Sequence, residues 1–120
     1  VRLGYADART DLAVVRAVRR AIGDGVRLMS DYNQSLSVAE AVVRLDALAG
    51  EGLDWVEEPT LADDFAGHAE IRRKARMPIQ MGENWWGPHE MAKGVAAGAS
   101  DLGMPDAMKI GGVTGWLRAA

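Results

Sequence analysis

Apolar and polar positions follow two alternating periods along the whole chain. Segments with apolar residues every three or four positions are separated by short apolar runs, and the pair of patterns repeats. The first period is typical of helices that bury one face, and the short runs are typical of buried strands. The predicted helices cover residues 10–25, 37–50, 63–75, 88–97 and 111–120, and the predicted strands cover 26–31, 53–57, 78–83 and 101–106, with 1–4 as the end of another strand.

Residues at the helix ends support this division. Thr10 or Asp11 is predicted to cap the first helix, since short polar side chains accept hydrogen bonds from the free N–H groups there. Ser37 and Glu40 have the spacing of a capping box. Pro88 suits the first turn of its helix, where no hydrogen bond from its nitrogen is needed.

The repeated strand and helix pattern predicts an α/β fold with a parallel sheet. Two architectures fit, a (β/α)₈ TIM-type barrel and a doubly wound sheet. No strand is followed by the glycine-rich fingerprint of a dinucleotide site, which counts against the doubly wound sheet. Because a typical barrel needs about 250 residues, these 120 residues are expected to form a partial barrel with two open sheet edges.

Composition excludes several classes of function. Fourteen Lys and Arg are balanced by 17 Asp and Glu, and the basic residues are scattered, so no nucleic-acid partner is expected. The absence of cysteine rules out disulfides, thiolate metal sites and a cysteine nucleophile. No long apolar run predicts a membrane span, and the first ten residues lack the pattern of a secretory signal. A cytoplasmic location is therefore expected.

Each strand-like segment ends in an acid, namely Asp31, Glu57, Glu83 and Asp106, at steps of 26, 26 and 23 residues. The carboxyl ends of parallel strands lie at one face of a barrel, where barrel enzymes hold their catalytic residues. Period-two alternation also predicts that Glu83 lies on the same side of its strand as Met81. The four acids are therefore expected to converge.

Acids crowded on one rim raise each other's pKa unless a cation lies between them. Mg²⁺ prefers oxygen ligands and is held by carboxylates, water and substrate oxygens. We therefore predict Asp31, Glu57 and Glu83 as Mg²⁺ ligands, with Glu58 in a supporting or structural role. The alternative is that each acid is an ordinary helix cap or loop residue.

Four longer motifs carry a family resemblance: "DYNQS", "WVEEPT", "MGENWWGP" and "MPDAMKIGGVTGW". In this order and spacing they resemble the mandelate racemase/muconate lactonizing enzyme family of the enolase superfamily, whose members use Mg²⁺ to stabilise an ene-diolate. The resemblance implies that residues 1–120 are the central part of a C-terminal barrel domain, about strands 2 to 6. The N-terminal capping domain and the last barrel strands would then lie outside the chain.

The resemblance also assigns roles to single residues. Asp31, Glu57 and Glu83 match the three metal ligands, and Asn33 matches a residue near the α-substituent of the substrate. Asp106 matches an acid that orients a catalytic histidine, which would follow Ala120. The implied reaction is abstraction of the proton α to the carboxylate of a small molecule, in an enzyme that forms a homo-oligomer.

Two basic residues refine this expectation. Arg2 takes the place of the second lysine of a Lys-x-Lys pair, which supplies one of two bases in the racemase. A guanidinium is a poor proton acceptor but holds a carboxylate well, so Arg2 favours acid-sugar dehydration over racemisation. Lys109 is expected to position Asp106 or the substrate, or to form a structural ion pair. Without the histidine, the isolated chain is expected to be inactive.

Two other readings remain open. A barrel glycosidase would use two of the strand-end carboxylates without a metal. A truncated, non-catalytic piece would retain the strand-end carboxylates but lack the histidine, the first lysine and the capping domain. His68 and His89 lie in predicted helices and are expected at the surface. Trp85 and Trp86 either line the active site or pack the loop after Glu83.

Overall fold

The computed structural model describes residues 1–120 and contains five helices and four short strands in alternation. No helix in the structure combines the length and the hydropathy that a membrane span requires. The helices are α1 (Ala8–Ile22), α2 (Val38–Leu48), α3 (Phe65–Lys74), α4 (Pro88–Ala97) and α5 (Gly112–Ala119), and the strands are β1 (Ser30–Asp31), β2 (Val56–Glu57), β3 (Ile79–Met81) and β4 (Leu102–Gly103).

All four strands are parallel and lie in the order β1-β2-β3-β4. A single parallel bridge between Arg2 and Asp31 adds the start of the chain beside β1. This order confirms the predicted α/β fold with consecutive βα units. It also places the carboxyl end of every strand at the same edge of the sheet.

The helices cover one face of the sheet and form the main core with it. Leu45 of α2, Val56 of β2, Ile71 of α3 and Ile79 of β3 are fully buried in one cluster of 13 residues. Burial of each such side chain contributes about 1.5–3 kcal/mol.

The register of β2 and β3 corrects one prediction. Val56 is paired with Ile79, and Glu57 with Gln80, so Ile79 and Met81 face the helices and not the side of Glu57. Met81 is accordingly fully buried. Glu83 does not continue the side of Met81, because the strand ends there and Gly82 has φ +136°, which breaks the alternation.

Gly82 is required where Trp85 packs. A Cβ atom at Gly82 would lie 2.8 Å from the Met104 nitrogen and 2.9 Å from the Trp85 ring. Trp85 is 1% exposed and packs with Met81, Ala99 and Ile110 in a second, smaller core cluster beneath α4 and α5. The loop after β3 is therefore held by its own tryptophan, in agreement with the packing alternative.

Helix ends follow the predicted signals with one exception. The capping box of Ser37 and Glu40 is present, and Pro88 is at the start of α4. The prediction of Thr10 or Asp11 as the first cap is wrong, because Asp7 accepts a hydrogen bond from the Arg9 nitrogen and α1 begins at Ala8. Asp11 is buried in the first turn of α1 and binds Tyr32 and Arg44 through its side chain.

Large apolar side chains are exposed at the β4 end of the sheet. This is the open edge expected of a partial barrel, and an unpaired strand with apolar neighbours favours self-association. The exposed residues of this region are Leu102, Met104, Met108, Val113, Trp116 and Leu117.

Candidate metal centre

Three acids lie together at the carboxyl end of the sheet, and we refer to Asp31, Glu57 and Glu83 as the acidic rim. Asp31 and Glu57 are the last residues of β1 and β2 and are register partners. Glu83 follows the end of β3 by two residues. All three are partly buried. The spacing of one βα unit thus brings them to one end of adjacent strands.

Glu57 is at the centre of this rim, and its environment disfavours its charge. Burial, followed by repulsion from Asp31, Glu83 and Glu58, raises the pKa of Glu57 to about 7, while Arg2 acts in the opposite direction. A cation on the rim would reverse the effect of the neighbouring acids, because opposite charge stabilises a carboxylate.

The outer acids of the rim have separate partners. Arg2 forms an ion pair of 3.0 Å with Asp31, and the Asn84 amide nitrogen lies 3.4 Å from Glu83 Oε1. No group of three His, Asp or Glu side chains is drawn together closely enough to hold an ion. The donor set nevertheless fits Mg²⁺, since it consists of carboxylate oxygens on adjacent strand ends, without nitrogen or sulfur.

Glu58 lies directly behind the rim and is 1% exposed. Its Oε2 accepts a hydrogen bond of 2.7 Å from the Asn84 amide, and its Oε1 has no partner. Burial is the main cause of a raised pKa at Glu58. The backbone of Glu58 has φ +36°, which turns the chain immediately after β2.

Arg2 and Asn33 both contact Asp31. Arg2 is exposed and reaches Asp31 from the neighbouring edge segment. The backbone nitrogen of Asn33 donates a hydrogen bond of 2.7 Å to Asp31 Oδ1, and the Asn33 side chain is exposed beside the rim. Both residues therefore lie next to the rim.

Asp106 and Lys109 lie in the turn after β4. Asp106 Oδ1 accepts hydrogen bonds from the backbone nitrogens of Met108 and Lys109, and these bonds lower the pKa of Asp106. The Lys109 ammonium group donates a hydrogen bond of 2.8 Å to the Asn84 side-chain oxygen. Asn84, which sequence reasoning missed, therefore links Lys109 to the rim; its only signal was its place next to Glu83.

The two histidines differ from each other. The surface prediction is wrong for His68, which is fully buried because it shares the inner face of α3 with Ile71. Burial lowers the pKa of His68, and its Nδ1 lies 3.1 Å from the Asp64 carbonyl oxygen. His89 is exposed, as predicted, and so is Trp86.

The raised pKa of Glu57 leads to a prediction for the full-length protein in EDTA. The folded-state pKa of about 7 exceeds the ordinary value of 4.5. The protonated form is therefore favoured by folding, and its contribution to stability is present below pH 4.5 and is lost as the pH rises to about 7. We expect the melting temperature of the native protein to fall across this window relative to that of Glu57→Gln.

The control for this experiment is Glu70→Gln, which removes a surface acid. Glu70 is paired with Lys74, and its pKa is lowered, in contrast to the raised pKa of Glu57. A parallel pH dependence of the native protein and Glu57→Gln would contradict the prediction.

Comparison with known proteins agrees with this geometry. Residues 1–120 match the family described as Enolase C-terminal domain-like. The chain is 38% identical over 112 residues to D-galactarolactone cycloisomerase of Agrobacterium fabrum, covering 93% of this chain and 29% of that protein.

Two solved structures are similar over nearly the whole chain. An enolase from Bradyrhizobium, complexed with magnesium and mandelic acid, has a TM-score of 0.95 at 48% identity, covering 98% of this chain and 32% of that one. L-Talarate dehydratase from Polaromonas sp. JS666, complexed with Mg and L-glucarate, has a TM-score of 0.96 at 35% identity, covering 99% and 33%.

The chain thus spans about a third of the length of the relatives it matches. The family match extends over the whole sequence, and the structural match to the Bradyrhizobium enolase covers 98% of it. The chain therefore belongs to the Enolase C-terminal domain-like family, among the mandelate racemase-type members of the enolase superfamily.

Proposed function

We propose that the full-length protein is a Mg²⁺-dependent enzyme that removes the proton α to the carboxylate of a hydroxy acid, as an acid-sugar dehydratase. The observation that carries this proposal is the acidic rim, where three carboxylates on adjacent strand ends repel one another. Residues 1–120 would be the central part of its C-terminal barrel domain, about strands 2 to 6, and inactive when isolated.

In this proposal Asp31, Glu57 and Glu83 hold the metal. When bound, Mg²⁺ supplies Lewis-acid stabilisation of the negative charge that develops on the substrate carboxylate. Arg2 places a permanent positive charge 3.0 Å from Asp31 and is suited to bind a substrate carboxylate through its planar guanidinium. Asn33 is exposed beside Asp31 and would contact the substrate near its α-carbon.

Asp106 would orient a histidine from outside this chain. Its carboxylate is held in a fixed direction by two backbone N–H groups, and Oδ1 is the atom that accepts both bonds. Oδ2 is thereby left to accept a hydrogen bond from an imidazole. The histidine would take the α proton and return a proton to the β-hydroxyl, which then leaves as water.

A second candidate function is racemisation of an aromatic hydroxy acid. The likeness to a structure complexed with mandelic acid favours it. Against it stands Arg2, which occupies the place of the second base. Because a guanidinium stays protonated in proteins, it cannot accept a proton from the opposite face of the substrate.

The test is proton exchange in D₂O by the full-length protein with Mg²⁺, using L-glucarate and each enantiomer of mandelate. We expect water to be eliminated from the acid sugar. Because a single base is present, we expect deuterium to enter the α-carbon from one face only. Interconversion of both mandelate enantiomers would instead establish the racemase. Proton exchange that survives EDTA would overturn the metal-dependent proposal.

A further inference from the structure

Three polar residues connect the loops that follow β2, β3 and β4. Lys109 donates a hydrogen bond of 2.8 Å to the Asn84 side-chain oxygen, and Asn84 donates one of 2.7 Å to Glu58. We call this chain of Lys109, Asn84 and Glu58 the amide bridge. It lies directly behind the acidic rim, since Glu58 and Asn84 are the chain neighbours of Glu57 and Glu83.

The lysine determines which way the Asn84 amide faces. An ammonium group can only donate, so it selects the amide oxygen and directs the NH₂ group to the opposite side. There the amide nitrogen lies 2.7 Å from Glu58 Oε2 and 3.4 Å from Glu83 Oε1. With the two hydrogens of its NH₂ group, Asn84 can serve both carboxylates.

The backbone fixes the two ends of the amide bridge. The Glu58 nitrogen donates to the Gln80 oxygen at 3.0 Å, and the Glu58 oxygen accepts from the Gln34 nitrogen at 2.8 Å. At the other end, the Lys109 nitrogen donates to Asp106 and its oxygen accepts from Gly87. The amide therefore lies between two anchored charged groups and has little freedom to rotate.

Glu58 gives the bridge a second purpose. Its carboxylate is 1% exposed, its Oε1 has no hydrogen-bond partner, and it lies close enough to Glu83 for mutual repulsion. The Asn84 amide nitrogen lies between the two carboxylates, 2.7 Å from Glu58 Oε2 and 3.4 Å from Glu83 Oε1, and its hydrogens offset part of this repulsion.

We propose that Lys109 is a positioning residue that acts through Asn84 to hold the Glu83 carboxylate in place on the acidic rim. This inference rests on the proposed function and gives Lys109 a different role from those expected from the sequence, which were to position Asp106 or the substrate or to form a structural ion pair. Its ammonium group is bonded to Asn84, which stands between it and Glu83. Removal of the cation frees the amide to rotate and lets Glu83 move.

The test measures Mn²⁺ binding by the full-length protein, without substrate, from the electron paramagnetic resonance signal of free Mn²⁺. We expect Lys109→Met to weaken Mn²⁺ binding about 10–100-fold, as is typical when a group that orients a metal ligand is removed. Lys109→Arg, which retains a donor cation, should restore most of the affinity. Lys93→Met serves as the matched control, because Lys93 is exposed on α4, and it should bind Mn²⁺ like the native protein.

Native affinity in Lys109→Met would overturn the inference while leaving the proposed function intact. Failure of the native protein to bind Mn²⁺ would overturn both. A second measurement needs no metal: in EDTA, Lys109→Met and Asn84→Ala should lower the melting temperature less together than the sum of their separate effects, because they break the same hydrogen bond. Strictly additive losses would also overturn the amide bridge.

Discussion

Glu57→Gln is expected to abolish most of the Mg²⁺-dependent proton exchange of the full-length protein. Glu57 lies between Asp31 and Glu83 on the acidic rim. The substitution therefore removes the central carboxylate of the three proposed metal ligands. Lewis-acid stabilisation is worth several kcal/mol, and a loss of about 4 kcal/mol corresponds to about a thousandfold in rate. The measurement is the initial rate of deuterium incorporation at saturating Mg²⁺.

Folding should survive this change. Glutamine has the shape of glutamate, and the substitution removes a charge that burial and neighbouring acids disfavour. In EDTA we therefore expect Glu57→Gln to melt at or above the temperature of the native protein near pH 7. Glu70→Gln on the surface of α3 is the matched control and should keep native activity. Full exchange activity in Glu57→Gln would remove Glu57 from the metal site.

Asp11→Ala is expected to cause the largest loss of stability. Asp11 is 1% exposed and accepts four hydrogen bonds: two from the Gly4 and Tyr5 nitrogens, at 3.0 Å each, one from the Tyr32 hydroxyl, at 3.1 Å, and one from Arg44, at 2.8 Å. Removing one member of a buried ion pair costs about 3–5 kcal/mol. Urea unfolding of the full-length protein would measure the difference.

Asp11→Ala should also disturb the acidic rim, because Asp11 holds the chain near Arg2 and near Asp31 by hydrogen bonds. Gly4 and Tyr5 continue the segment that carries Arg2, and Tyr32 lies between Asp31 and Asn33. The control is Asp46→Ala, which removes an exposed pair with Arg76 at 3.5 Å and should cost no more than about 1 kcal/mol. A loss at Asp11 no larger than at Asp46 would show that the buried cluster contributes little.

The architecture could be predicted because local signals agree with it. Period-two and period-3.6 patterns, the capping box at Ser37 and the proline at position 88 each define an element from neighbouring residues alone. The acids of the rim could also be identified from the sequence. Acids that recur once per βα unit, each at the end of a strand, lie at the carboxyl end of a parallel sheet.

Features that depend on distant partners could not be predicted. Asp11 resembled a helix cap because its partners Tyr32 and Arg44 are 21 and 33 residues away in the sequence. The role of Asn84 could not be predicted from its place next to Glu83, since its bond to Lys109 spans 25 residues. The prediction that Glu83 shares the side of Met81 was wrong because the fixed alternation of a strand takes no account of the turn at Gly82.

The central claim is that Asp31, Glu57 and Glu83 share one divalent cation. The most direct measurement is a calorimetric titration of the full-length protein with Mg²⁺, repeated for Asp31→Asn, Glu57→Gln and Glu83→Gln. We expect the native protein to bind a single ion per chain at this site and each variant to lose that binding while remaining folded. Binding that is unchanged in all three variants, or absent from the native protein, would contradict the assignment of these acids as a metal centre.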